Sequence, residues 1–230
     1  MKKYFETFKL VEVQKTFYKI PRLETLKKWR KQSPRDFEFT IKASQLITHS
    51  PKSPTYKKGG IEISKESINK YGYFRPTEEN FNAWEETKNA CKALDAKIVV
   101  FQSPPKFKES EEHISNIVEF FECIDRGTLN LVWEPRGDWN DDTIKKLCEK
   151  LDLVHCTDPF AKKTLYSKDF VYFRLHGSPP GEKMYYYRYS KEDLNKLKEI
   201  CASIDVPQLY CLFNNVHMFE SAKEFLEMMS

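Results

Sequence analysis

Residues 170–177 read FVYFRLHG. Successive side chains of a strand point to opposite faces, so Val171, Phe173 and Leu175 share one side while Tyr172, Arg174 and His176 share the other. A strand covered on both faces of a parallel sheet is close to uniformly apolar. Two ionisable groups on one face, both at its C-terminal end, therefore require a partner or a task.

The same split recurs along the chain. Strand-like runs fall at 9–14 (KLVEVQ), 37–42 (FEFTIK), 97–102 (KIVVFQ), 129–134 (LNLVWE), 152–158 (DLVHCTD), 170–176 and 207–214 (PQLYCLFN). One face holds Val11, Val13, Phe37, Phe39, Ile41, Val99, Phe101, Leu131 and Trp133; the other turns polar near its C-terminal end. The polar set is Glu12, Gln14, Lys42, Gln102, Glu134, Asp158, Arg174 and His176, with Asn214 or Asn215 from the last run. Helical spacing separates most of the strands: Leu23, Leu26 and Trp29; Ile114, Ile117, Val118 and Phe121; Ile144, Leu147 and Leu151. Ser190 with Asp193 forms a variant capping box ahead of Leu194, Leu197, Ile200 and Ile204.

Strands alternating with helices predict an α/β fold with a parallel sheet. In a closed parallel barrel the apolar face packs on the helices, and inward polar groups at C-terminal ends meet at the mouth, where such barrels place their active sites. Arg174 and His176 are thus expected in a shared site. The competing expectation is a structural network of Glu12, Lys42, Glu134 and Arg174 that closes the barrel, although buried ion pairs add little net stability. His176 taken alone reads as a hydrogen-bonded core histidine.

Composition bounds these readings. The chain has 230 residues, 40% hydrophobic and 31% charged, which suits a soluble globular protein of one domain over 1–230. No apolar run approaches the roughly 18 residues of a membrane span, and the opening MKKYFETFKL lacks the apolar stretch of a secretory signal. The expected location is cytoplasmic, with no membrane partner. A net charge of +4, dispersed along a lysine-rich chain, does not by itself argue for nucleic acid. Cys91, Cys123, Cys148, Cys156, Cys201 and Cys211 form no C-x-x-C pair, which speaks against a zinc cluster; most occupy apolar phases and read as small buried hydrophobes. The segment 43–76, broken by Pro51, Pro54, Gly59, Gly60 and Pro76, reads as a functional lid or an insertion.

Five ordered segments carry a family resemblance: YFETFKLVEVQKTFYKIPRLETLKKWRKQSPRDFEFTIKASQLITH, FQSPPKF, LVWEPRGDW, FVYFRLHGSP and LYCLFNN. Together they resemble the YecE-like family, a domain of unknown function (number 72), through nearly the whole chain. The resemblance implies a TIM-type (β/α) barrel and brings no activity with it. Carried over onto its motifs are Glu12, Lys42, His49, Gln102, Glu134, Arg136, Asp158, Arg174, His176 and Asn214. Two departures stand out. Gln14 occupies a position where the family usually has Asn. Family members also generally begin with a strand bearing a Gly-x-Ser-Gly-Trp-like segment, and this chain starts after it, so seven strands are expected where the barrel has eight.

The chemistry of the set leaves alternatives open. Glu12 and Glu134 suit an acid/base pair of the kind glycosidic cleavage uses, with Asp158 and His176 as further catalytic candidates. Glu134, Asp158 and His176 also suit a divalent metal, although no spacing signature supports one. Lys42, Arg136 and Arg174 suit an anionic group, helped by His49, Gln102 and Asn214. Trp139 is placed to stack on a sugar or base at the rim, while Trp133 reads as packing. In MYYYRYS (184–190), Tyr185 or Tyr189 either closes over the site or packs its loop. The expected function is an enzyme, a hydrolase or isomerase acting on a small anionic or sugar-like substrate by acid/base or metal-assisted chemistry. The alternative is a non-catalytic module that binds a nucleotide, a phosphosugar or a nucleic-acid end.

Overall fold

The apolar set picked out by alternation meets helices. Phe39 is fully buried, with Phe5 and Phe37 at ring distances of 6.2 and 5.0 Å, and Phe101 sits 5.8 Å from Trp84 and 5.1 Å from Phe121. These contacts come from a computed structural model that describes residues 2–177 and 184–229. The chain divides into two compact units, Met1–Leu153 and Val154–Ser230.

The first unit carries strands β1 (Leu10–Val13), β2 (Glu38–Lys42), β3 (Ile98–Gln102) and β4 (Asn130–Glu134), each hydrogen-bonded in parallel to the next. Its helices are α1 (Lys2–Thr7), α2 (Lys15–Tyr18), α3 (Leu23–Gln32), α4 (Gln45–Thr48), α5 (Pro54–Gly59), α6 (Glu78–Leu94), α7 (Glu111–Cys123) and α8 (Asp141–Leu151). Local chemistry sets their ends. Thr77, Ser110 and Asn140 cap α6, α7 and α8 with side-chain oxygens that accept from backbone N–H groups, and acidic residues fill each first turn. Asp95 and Asp152 then take left-handed backbone at the C-terminal ends of α6 and α8, at φ 55° and 56°, and turn the chain into the following strands.

The second unit begins within β5 (Leu153–His155) and continues with β6 (Phe170–Leu175), α9 (Lys191–Ala202), β7 (Gln208–Phe213) and α10 (Met218–Met229). β6 and β7 pair in parallel from Phe170↔Gln208 to Leu175↔Phe213. Val171, Phe173 and Leu175 join Leu194, Leu197, Phe213 and Phe225 in one core, as the opening alternation requires. The capping box of Ser190 and Asp193 is present in both directions. Ile204 falls beyond the end of α9.

All seven expected strands are present among the described residues, most displaced by a residue or two at their ends. β5 is the shortest. Beyond it Thr157 makes an isolated bridge to Phe173, so Asp158 stands on a turn rather than in a strand. Gln14 likewise lies past β1, in helical backbone at the start of α2.

The segment 43–76 holds α4, α5 and a 3-10 turn, Lys65–Lys70. Its anchors are Ile47, Tyr56 and Phe74, all buried, and Phe74 packs among Phe101, Phe107, Phe120 and Phe121. Among the described residues no helix is long and apolar enough to cross a membrane.

Candidate functional site

The C-terminal ends of β2, β3 and β4 bring three polar side chains into one line. Register places Lys42 beside Val100, and Gln102 beside Glu134. Lys42, Gln102 and Glu134 are 6, 7 and 5% exposed, so their polar ends must satisfy one another. The Lys42 Nζ donates to Gln102 Oε1 at 2.7 Å, and Gln102 Nε2 donates to both Glu134 oxygens at 3.0 and 3.1 Å. The amide is thereby oriented: its carbonyl faces the cation and its NH2 faces the carboxylate. The Arg136 Nε stands 3.5 Å from Glu134 Oε1. Beneath Lys42 lies the Phe17 ring, with Nζ 3.9 Å from its centroid, a cation–π contact. Thr16 ties α2 to β2 by donating to the Lys42 carbonyl at 2.7 Å.

His49 completes this group. It follows α4, is 7% exposed, meets the Phe17 ring edge-on at 4.9 Å and pairs its Nδ1 with the Thr48 hydroxyl at 2.8 Å. Burial, with Lys42 and Arg136 adding like-charge repulsion, lowers its pKa to about 3. The imidazole is therefore neutral at any physiological pH, able to accept or donate one hydrogen bond but not to carry charge.

The backbone of α4, which leads to it, is held by a turn of unusual shape. Gly72, Tyr73 and Phe74 have φ of 76°, 56° and 53°, three left-handed residues in succession. From this turn Gly72, Tyr73 and Phe74 donate to the carbonyls of Leu46, Thr48 and Ile47. The Tyr56 hydroxyl donates to the His49 carbonyl at 2.9 Å.

Glu12 and Gln14 are half-buried and hydrogen-bonded to each other through the Gln14 amide. Trp139 is a correction to the expected rim aromatic. It is 5% exposed, donates its indole N–H to the Phe107 carbonyl and lies edge-on to Trp133, so packing uses its whole surface.

In the second unit, Asp158 accepts from the backbone N–H groups of Phe160 and His176 at 3.0 and 3.1 Å, and so links the turn after β5 to the end of β6. Arg174 is fully buried and His176 is 4% exposed, with the Tyr185 ring 5.8 Å away, edge-on. Tyr189 belongs to the core with Phe213. Asn214 is half-buried at the end of β7, while Asn215 serves the fold by donating to the Tyr187 carbonyl and accepting from the His217 N–H. Among the described residues no three His, Cys, Asp or Glu side chains gather as a metal-binding group.

The family model for the protein of unknown function DUF72 matches residues 1–230. The chain belongs to the DUF72 family. A solved DUF72 family protein of Thermotoga maritima is similar with a TM-score of 0.70 at 23% identity, covering 99% of this chain and 88% of that one. One of Enterococcus faecalis gives 0.71 at 19% identity, covering 99% and 90%. The structure of SacUVDE gives 0.61 at 7% identity, covering 99% and 82%. Likeness at these identities is one of fold, and the fold is α/β of the TIM type. Among curated proteins, none matches the chain.

The sequence picks out Lys42, His49, Gln102, Glu134 and Arg136, which the fold gathers, but not Phe17 and Thr16, which seat Lys42. Their position immediately after a strand carrying Glu12 is the signal that could have found them. The relay itself makes a prediction. Gln102→Leu keeps the volume but removes the amide between a buried ammonium and a buried carboxylate. The loss of two charge-assisted contacts should destabilise the chain by about 2 kcal/mol. Urea unfolding at neutral pH measures this, and a midpoint unchanged from the parent would count against the relay.

Proposed function

We propose that this chain is an enzyme that acts on a small anionic or sugar-like substrate by acid/base chemistry, with Glu134 as its central carboxylate. One observation carries the reading. Lys42, Gln102 and Glu134 are buried side by side at the C-terminal ends of adjacent parallel strands, where apolar residues of similar size would hold the fold as well or better. A TIM-type fold uses those ends for chemistry.

The roles follow from the groups. Glu134, surrounded by donors, is suited to take a proton or to attack an electrophilic carbon. Arg136 beside it and Lys42 at the far side of the Gln102 amide suit the binding of phosphate or carboxylate. Neutral His49 supplies a hydrogen bond without adding charge. Glu12 is the second carboxylate of this unit, and Asp158, Arg174, His176 and Asn214 are proposed, within the second unit taken by itself, as polar groups suited to a ligand.

The surrounding charge supports an anion. Residues 13–23 and 43–61 contain Lys15, Lys19, Arg22, Lys52, Lys57 and Lys58 and no Asp or Glu. α2 and α5 within those segments are joined by Gln45, whose amide donates to the carbonyls of Tyr18 and Thr55. A local surplus of cationic side chains of this sort raises the concentration of anionic ligands nearby. It also favours the second reading, a non-catalytic binder of a nucleotide, phosphosugar or nucleic-acid end.

A panel of phosphosugars, nucleotides and oligonucleotides separates the two. The enzymatic reading expects a member that raises the melting temperature and is turned over. Glu134→Gln should then slow turnover by about a hundredfold or more while binding persists, and Arg136→Ala should weaken binding. Stabilisation with no turnover supports the binder. Full turnover in Glu134→Gln overturns the role given to that carboxylate.

A further inference from the structure

The second unit contains a pair of cysteines that the site above does not use. Cys201 lies in the last turn of α9 and Cys211 in the middle of β7, opposite Phe173 in the strand register. Their sulfurs are 3.7 Å apart, and both residues are half-buried against the core of that unit. We propose that Cys201 and Cys211 are a redox-active dithiol that peroxide closes to a disulfide and a thiol reductant reopens.

A disulfide bond is about 2.05 Å long, so closure from 3.7 Å requires the two sulfurs to approach by about 1.6 Å, within reach of side-chain rotation. Helix and strand hold the thiols together before any oxidant arrives, so the second step is intramolecular. The contact also divides the labour between them. The hydrogen bond that the two sulfurs share lowers the pKa of Cys201, while that bond and burial raise that of Cys211, which leaves Cys201 the better nucleophile and Cys211 the resolving thiol. Cys91 and Cys148 are different: both are buried, and burial pushes their thiols up to about 12, as for structural cysteines that stay inert.

The chemistry balances with hydrogen peroxide as the oxidant. The Cys201 thiolate attacks one peroxide oxygen; an S–O bond forms, the O–O bond breaks and hydroxide leaves to take up a proton. Cys211 then attacks the sulfenic sulfur, the S–S bond forms, the S–O bond breaks and water leaves with the Cys211 proton. Two electrons pass from the thiol pair to peroxide, and a dithiol reductant returns them by exchange. The product ties the end of α9 to β7 across the connection 203–207. It should raise the thermal midpoint by on the order of 5 °C.

The test treats the full chain with a small excess of hydrogen peroxide, then alkylates, digests and maps it by mass spectrometry. The expected result is a loss of about 2 Da from the intact chain, a peptide cross-linked between Cys201 and Cys211, and recovery of both free thiols with dithiothreitol. In Cys211→Ser no resolving thiol remains, and Cys201 should continue to the sulfinic acid, gaining about 32 Da. In Cys201→Ser, Cys211 should stay open to alkylation after the same exposure. Parent protein in which both residues remain alkylatable, or in which Cys201 reaches the sulfinic acid without a cross-link, overturns the proposal. Both readouts come from the unmutated chain, so poor folding of a variant does not blunt them.

Discussion

Replacing Gly72 by alanine is expected to destabilise the protein by about 3–4 kcal/mol, lowering the thermal midpoint by roughly 10 °C. Two independent terms add. At φ 76° an L-residue carries a steric penalty of about 1–2 kcal/mol that glycine avoids. The added Cβ would also sit 2.3 Å from the His49 carbonyl oxygen and 2.5 Å from its carbon. Both obstacles are backbone, so no side chain can swing aside. Relief requires the turn to withdraw from α4, which would break the bonds that Gly72, Tyr73 and Phe74 donate to the Leu46, Thr48 and Ile47 carbonyls. Tyr73 and Phe74 already occupy left-handed backbone, a strain offset by Phe74 burying its ring completely among four other phenylalanines. Alanine at 72 would draw on that offset without adding a contact. The variant should therefore also loosen His49 and weaken any ligand that uses it. A thermal midpoint within a degree or two of the parent would show that the turn is not what fixes this segment.

That turn was not legible in the sequence. GYF at 72–74 resembles any loop entry, and only the approach of a distant carbonyl makes glycine obligatory. The strands were legible because alternation is a local signal. Phe37, Phe39 and Ile41 read as one buried face before any partner is known, and they are buried. Lys42 and Glu134 were legible as ends of such strands, since polar residues in a buried run must be explained. The bridging role of Gln102 was not. It depends on the register that sets Gln102 beside Glu134 and lets the longer lysine reach back from β2, a relation between residues 32 to 60 positions apart.

The opposite error is also instructive. Trp139 follows a charged strand end in WEPRGDW and so looked exposed, yet its indole N–H finds the Phe107 carbonyl and its ring finds Trp133. An aromatic with a polar handle is content in a core once that handle has a partner. Gln14 and Asp158 differ again. Gln14 lies one residue past the end of β1 and Asp158 three past the end of β5, because a helix start at α2 and a turn after β5 take over. Asp158 keeps a positioning task there, accepting from the Phe160 and His176 backbone.

His49 gives the last prediction its sign. In the unfolded chain an imidazole titrates near pH 6.5, whereas in the folded chain burial and the neighbouring Lys42 and Arg136 bring it to about 3. Between those values the unfolded state binds a proton that the folded state refuses. Stability from this group is therefore complete above pH 6.5 and falls as the solution is acidified toward pH 3, by about 1.4 kcal/mol per unit. The full span amounts to roughly 5 kcal/mol. The most telling window is pH 6.5 to 5, above the range where most carboxylates begin to protonate, and there the loss should be about 2 kcal/mol. His49→Gln removes the titration while leaving a polar group for the Thr48 hydroxyl. Its stability should be lower than the parent at pH 7, since the ring against Phe17 is lost, but flatter between pH 6.5 and 5. Urea unfolding at half-unit pH steps on both proteins measures the difference. Parallel curves would mean that His49 takes up its proton as readily in the fold as in the unfolded chain, and that burial, Lys42 and Arg136 do not confine it to its neutral form.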